Sequence, residues 1–111
     1  MGATTFMITA YGKDISDAYN NAVEDAEYEY GHDSYNGTIS TTYGCRQVYG
    51  VVDGNTDWTQ KKENKAVEVA YDMIDSMEKR DCKGIDLGKV SNRITHHNGW
   101  HKYLFFGWAA C

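Results

Sequence analysis

The chain has 111 residues, of which 14% are aromatic and 24% charged, and its formal net charge at pH 7 is −5. This length and composition predict one globular domain spanning residues 1–111, and they exclude an intrinsically disordered chain or a pair of domains. No apolar run approaches the ~18 residues that a membrane-spanning helix needs, so we expect no membrane association.

The expected compartment is the cytoplasm. The amino terminus lacks the basic and then apolar pattern of a signal peptide. The three cysteines lie at wide, irregular spacing, which fits reduced thiols better than a disulfide framework.

The first strand and the first helix are the clearest elements. Residues 4–11 are β-branched and aromatic with alternating faces, which predicts a strand that Gly12 ends. Asp14 is a suitable N-cap for a following helix, and Gly31 is suited to end it. Small and aromatic apolar residues recur at helical spacing between these points and predict a stripe that docks on a sheet. The stripe consists of Ile15, Ala18, Tyr19, Ala22, Val23, Ala26 and Tyr30.

The middle of the chain predicts a hairpin and a second helix. The Asn36–Gly37 pair is a turn signal, and the β-forming residues at 38–43 and 46–52 predict two strands after it. Apolar residues at helical spacing predict a helix over about 59–80. Residues 84–99 are interpreted as a long connection with at most a short strand or turn, and the apolar run 102–109 as a central strand.

These elements predict an α+β protein. The order β-α-β-β-α-β matches the ferredoxin-like arrangement, in which two helices pack on one face of a mostly antiparallel sheet.

The net negative charge comes almost entirely from the first helix and its end. Seven of the sixteen acidic residues lie between Asp14 and Asp33, where Lys and Arg are absent, and the remainder of the chain is mildly basic. A rigid array of carboxylates can pair with a basic surface of another protein, although an acidic outer face can also serve only solubility. The predicted partner-binding residues are Glu24, Asp25, Glu27, Tyr28, Glu29, His32, Asp33 and Tyr35.

Nothing else in the sequence forms a catalytic signature. The loop containing His96, His97, Trp100 and His101 is the densest group of possible metal ligands, and Cys82 or Cys111 is a candidate for a further ligand. The spacing of these residues, however, matches no standard zinc pattern. Phosphate-binding glycine motifs are absent, and the negative charge disfavours direct contact with nucleic acid. We therefore expect no catalytic residues, metal or cofactor.

Two segments resemble small proteins encoded by bacteriophages. They are the run from Ala18 through Tyr30-Gly31-His32 to Tyr35-Asn36-Gly37-Thr38-Ile39, and the ending Tyr103-Leu104-Phe105-Phe106-Gly107-Trp108; together they cover about a quarter of the chain. No activity can be transferred from that group. Small acidic proteins encoded by bacteriophages often bind and inhibit a host protein or complex, including CRISPR nucleases.

The resemblance and the charge pattern favour a non-enzymatic protein-binding module, an anti-CRISPR-like inhibitor of a host defence nuclease. Its acidic helix would contact a basic surface of the partner. The first alternative is an enzyme or a domain that binds a nucleotide or another small ligand around His96, His97 and His101. The second is a structural protein of a larger assembly.

Overall fold

The computed structural model describes residues 2–33 and 35–111. Its helices and strands, with one 3₁₀ turn, follow in chain order: β1 Ala3–Gly12, α1 Ile15–Tyr30, the 3₁₀ turn Ile39–Thr41, β2 Arg46–Gln47, α2 Gln60–Ile74, β3 Cys82–Lys89, α3 Asn92–Thr95 and β4 His101–Ala110.

The sheet is mixed, with the strand order β1-β4-β3-β2. β4 pairs antiparallel with β1 on one side and with β3 on the other, while the short β2 runs parallel to β3. The α+β class and the central position of the closing strand are confirmed. The ferredoxin-like order is not confirmed.

The two long helices cover opposite faces of the sheet, so the prediction that both pack on one face is wrong. Successive side chains of a strand point to opposite faces. Phe105 of β4 packs in one core with Ala18 and Ala22 of α1, whereas Phe106 packs in a second core with Ala70 of α2. The near-continuous apolar sequence of β4 therefore reflects burial on both faces.

The predicted hairpin at 38–52 is also wrong in its first strand. The hydroxyl of Thr41 donates to the carbonyl of Thr38, and the hydroxyl of Thr42 donates to that of Ile39, which stabilises a 3₁₀ turn. Local bonds of this kind compete with pairing in a sheet. The Asn36–Gly37 turn forms, and the second predicted strand is reduced to Arg46–Gln47.

The interpretation of residues 84–99 as a connection with at most a short strand or turn missed most of β3. Gly84 of β3 allows close packing, because a Cβ there would lie 2.9 Å from side-chain atoms of Ile15 and Phe105. Gly88 has a φ of 113° at an irregularity in the pairing with β4. The second helix is shorter than predicted and ends at Ile74.

Candidate functional site

Helix α1 is fixed to the end of β1 at its first turn. The backbone N–H of Asp17 donates to the Asp14 carboxylate (2.8 Å), and that of Lys13 donates to the Asp17 carboxylate (3.0 Å), as in a capping box. Gly12 permits the close approach, since a Cβ there would lie 2.4 Å from the backbone nitrogen of Ala18. The predicted cap is thus confirmed, and the predicted stripe packs on the sheet except for Tyr30, which is 61% exposed.

Beyond this contact, α1 and β1 enclose an open groove with a volume of about 830 Å³. Phe6, Ile8 and Ala10 of β1 lie on the side facing α1 and contribute apolar surface. Ile8 is the most open of the three, with 37% of its surface exposed. The turn at residues 36–39 and the ring of Trp100 also line the groove. A site of this shape offers an extended apolar surface next to a strand.

Three carboxylates of α1 line the same groove: Glu24, Asp25 and Glu29. All three are exposed, and no Lys, Arg or His is among the lining residues. Within residues 2–33 and 35–111, none of these carboxylates forms an ion pair or a side-chain hydrogen bond. The described residues therefore do not neutralise the negative charge at the groove.

The other predicted partner-binding residues do not line the groove. Glu27 forms a 2.8 Å contact with His32 at the end of α1, and Tyr28 is almost completely exposed. The Asp33 carboxylate accepts a hydrogen bond from the backbone N–H of Tyr35. The structure thus brings together three of the eight predicted residues.

Tyr35 has partners within the chain. Its ring lies 5.0 Å from the guanidinium of Arg80 and 5.7 Å from the ammonium of Lys79. Arg80 also donates to the carbonyl of Thr41 (2.9 Å) and lies 5.3 Å from the ring of Tyr43. Tyr35 therefore helps to anchor the loop after α1 and does not line the acidic groove.

The floor of the groove was not predicted as part of a site. The alternating side chains of β1 correctly predicted that Phe6, Ile8 and Ala10 share one face of the strand. Only the strand order reveals that β1 is an edge strand, so that these side chains border open space beside α1.

The histidines of the 96–101 loop are directed to separate partners. His97 stacks on Trp100 at a centroid distance of 4.0 Å, and the His101 ring nitrogen Nδ1 lies 2.9 and 3.1 Å from the two Asp86 carboxylate oxygens. His96 adopts a left-handed conformation at the end of α3. Among the described residues, no group of three or more His, Cys, Asp or Glu side chains is arranged to hold a metal ion.

The buried titratable groups favour their uncharged forms. A hydrogen bond with the Cys45 thiol and burial raise the pKa of Cys82. Burial likewise raises the pKa of Tyr19, and burial together with the nearby carboxylates of Asp86 and Asp14 raises that of Tyr103. A thiol with a raised pKa is a poor nucleophile at neutral pH, because the thiolate is the reactive form.

Comparison of the chain with protein-family models, with curated proteins and with solved structures gives no match. In the part of the chain that the structure describes, the helices are too short or too polar to cross a membrane.

Proposed function

We propose that this protein is a binding module that recognises a basic segment of another protein through the groove between α1 and β1. The observation that carries the proposal is the set of three carboxylates, Glu24, Asp25 and Glu29, which surround an apolar floor and have no ion-pair partner among residues 2–33 and 35–111. The carboxylates can attract a lysine or arginine of the partner. The apolar floor can then bury the aliphatic part of that side chain or an apolar residue next to it.

The two parts of the groove have different roles in this proposal. Exposed carboxylates contribute little individually, but an array of one sign speeds association with a partner of opposite sign and selects against acidic partners. The apolar surface at Phe6 and Ile8 would supply affinity, at roughly 25 cal/mol per Å² of apolar area removed from water. Binding should therefore weaken with salt without disappearing completely.

Proteins that bind nucleic acids carry basic surfaces that fit this groove, since they neutralise phosphates with Lys and Arg. Together with the resemblance to small bacteriophage proteins, this supports an inhibitor of a host nuclease, such as a CRISPR nuclease, that acts in the host cytoplasm. The chain would act by occupying the basic surface, and this mechanism needs no catalytic residue, metal or cofactor.

The proposal can be tested by capture of partners from a bacterial lysate, followed by titration of the captured protein in purified form. The informative variant combines Glu24→Gln, Asp25→Asn and Glu29→Gln. Glu27→Gln is the matched control, because Glu27 lies on the same helix and contacts His32 away from the groove.

We expect the triple variant to lose about tenfold or more in affinity, and the control to bind like the wild type. The difference should shrink as salt is raised, because screening weakens the contribution of exposed charges. If the triple variant binds as tightly as the wild type at low salt, the groove is not the binding surface.

A further inference from the structure

The outer edge of β1 has backbone N–H and C=O groups that, among residues 2–33 and 35–111, have no hydrogen-bond partner in a neighbouring strand. Gly2 and Cys111 exchange both backbone hydrogen bonds (3.0 and 3.2 Å) next to the β1–β4 ladder. In an antiparallel pair, residues that exchange both bonds alternate with residues whose N–H and C=O point away from the partner strand. In β1 the outward groups therefore belong to every second residue: Ala3, Thr5, Met7, Thr9 and Tyr11.

One contact agrees with this assignment. The side-chain amide of Asn21 on α1 donates to the carbonyl of Tyr11 (2.9 Å), which is the last outward group in this series. This bond closes the edge at one end. Among the described residues, the N–H and C=O groups of Thr5, Met7 and Thr9 have no comparable partner, so the stretch from Thr5 to Thr9 is open.

The open edge also lacks the usual protection against pairing. Edge strands commonly carry a charged residue, a proline or a bulge that blocks a further strand. The β1 sequence, Ala3–Gly12, has no charged residue and no proline, and its register with β4 continues without a shift. Thr5, Ile8 and Thr9 are exposed. An added strand would therefore meet a regular and accessible edge.

We infer that an extended segment of the partner, with alternating basic and apolar residues, binds by adding a strand to the outer edge of β1. This inference rests on the proposed function and specifies how the groove is occupied. Every second side chain of the added strand would enter the groove beside Phe6 and Ile8, close to the carboxylates of Asp25 and Glu29. Backbone bonds would give the affinity, and the carboxylates would select for lysine or arginine.

Charge distinguishes this occupant from a second copy of the chain. Two copies paired antiparallel through β1 would place their α1 helices on the same face of a continuous sheet. The carboxylates of both grooves, Glu24, Asp25 and Glu29 in each, would then lie close together with no cation between them. Like charges at such an interface are unfavourable, so the acidic rim favours a basic segment over self-association.

The test uses a blocked peptide of alternating Lys and Val, about eight residues long, which spans the open stretch from Thr5 to Thr9 and extends past it at both ends. A second peptide has the same sequence, but its backbone is N-methylated at alternate residues on the edge that would pair with β1. The two peptides have the same charge and nearly the same apolar surface. Fluorescence anisotropy gives their affinities for the full chain, and NMR amide exchange reports on β1.

We expect the unmodified peptide to bind and the N-methylated peptide to bind about tenfold or more weakly, since it lacks the backbone donors. In the complex, exchange should slow by about tenfold or more at Thr5, Met7 and Thr9. The amides of Phe6 and Ile8 should be protected in the free protein already, because they bond to β4.

Thr5→Pro removes an outward N–H and should weaken binding of the unmodified peptide, whereas Thr5→Val keeps the N–H and should not. If Thr5→Pro fails to fold, the comparison of the two peptides still decides the question.

Each of the other results contradicts strand addition in a distinguishable way. If both peptides bind equally and the triple variant Glu24→Gln, Asp25→Asn, Glu29→Gln abolishes both, strand addition is wrong while the proposed function stands. If neither peptide binds at low salt, both proposals fail. If light scattering shows a dimer that Thr5→Pro converts to a monomer, the edge is occupied by a second copy and the inference is wrong.

Discussion

Phe105 and Phe106 are consecutive residues of β4, both fully buried, and they belong to different hydrophobic cores. Phe105 packs under α1 and Phe106 packs under α2. The side chain of Phe105 therefore supports the helix that carries the acidic groove, whereas Phe106 supports the opposite layer.

Replacing either phenylalanine with leucine should therefore loosen a different helix. We expect Phe105→Leu and Phe106→Leu each to lower the free energy of unfolding by about 1–2 kcal/mol, because a smaller side chain leaves a cavity. Amide exchange should accelerate mainly in α1 for the first variant and mainly in α2 for the second. Tyr49→Leu, at a site that is 79% exposed, is the control and should leave both helices unchanged. Equal acceleration in both helices would contradict the separation of the cores.

The contact between Gly12 and Ala18 predicts a strong effect of one added methyl group. Gly12→Ala should destabilise the protein by about 1–3 kcal/mol, since the new Cβ would overlap the backbone of α1 and force the helix away. Gly2→Ala is a matched control, because its Cβ would meet only the Cys111 sulfur at 3.6 Å, an ordinary contact distance. Urea unfolding measures both variants, and equal stability of the two would show that α1 moves without cost.

The raised pKa of Tyr103 predicts loss of stability in alkali. Burial favours the neutral phenol in the folded state, whereas the unfolded chain ionises near the ordinary pKa of about 10. The stabilisation is fully present below that pH and is lost as the pH rises towards the folded-state pKa. One pH unit above the ordinary value, the loss should be ~1 kcal/mol.

Thermal unfolding at neutral and alkaline pH tests this prediction with two variants. Tyr103→Phe removes the ionisable group and should reduce the alkaline loss. Tyr28→Phe removes a phenol that is 93% exposed and should behave like the wild type. An alkaline loss of the same size in Tyr103→Phe as in the wild type would assign the effect to other groups.

The three thiols should differ in reactivity. Cys111 is exposed, Cys45 is partly buried and Cys82 is buried beside Cys45 with a raised pKa. A disulfide reagent such as Ellman's reagent should modify Cys111 first and reach Cys82 only after unfolding, because a buried and protonated thiol reacts slowly. Rapid modification of a protein carrying both Cys45→Ser and Cys111→Ser would contradict the burial of Cys82.

Local signals in the sequence were sufficient for the elements that neighbouring residues determine. The cap at Asp14, the stop at Gly31, the strand β1 and the stripe containing Ala18 and Ala22 all follow from short-range patterns, and the structure confirms them. The apolar run of β4 correctly indicated a central strand, since a strand buried on both faces has few polar positions.

The remaining errors concern contacts between distant residues. Residues 84–89 are interpreted from the sequence as part of a connection, although Gly84 and Gly88 are required because other parts of the chain approach them closely. The β-forming residues at 38–43 suggest a strand, although the Thr41 hydroxyl accepts a hydrogen bond from the backbone N–H of Ala110 and the Thr42 hydroxyl bonds to that of Tyr19. Neither distinction can be made without knowing the neighbours in space.

The same reason explains the partial prediction of the site. Helical spacing alone did not separate Glu24, Asp25 and Glu29 from Glu27, because the position of the groove depends on which side of α1 borders the sheet edge. The strand order supplies that information, and with it the apolar floor at Phe6 and Ile8.

The pairing of Ala3 in β1 with Ala110 in β4 has a consequence for folding. Ala3 and Ala110 are more than a hundred residues apart in the chain, and closing such a loop costs entropy before most sheet contacts form. Proteins dominated by distant contacts fold slowly. Until β4 docks, both β1 and β3 lack their main partner, so the backbone groups of Phe6 and Ile8 that bond to β4 in the native sheet are exposed together with the outward groups of Thr5, Met7 and Thr9.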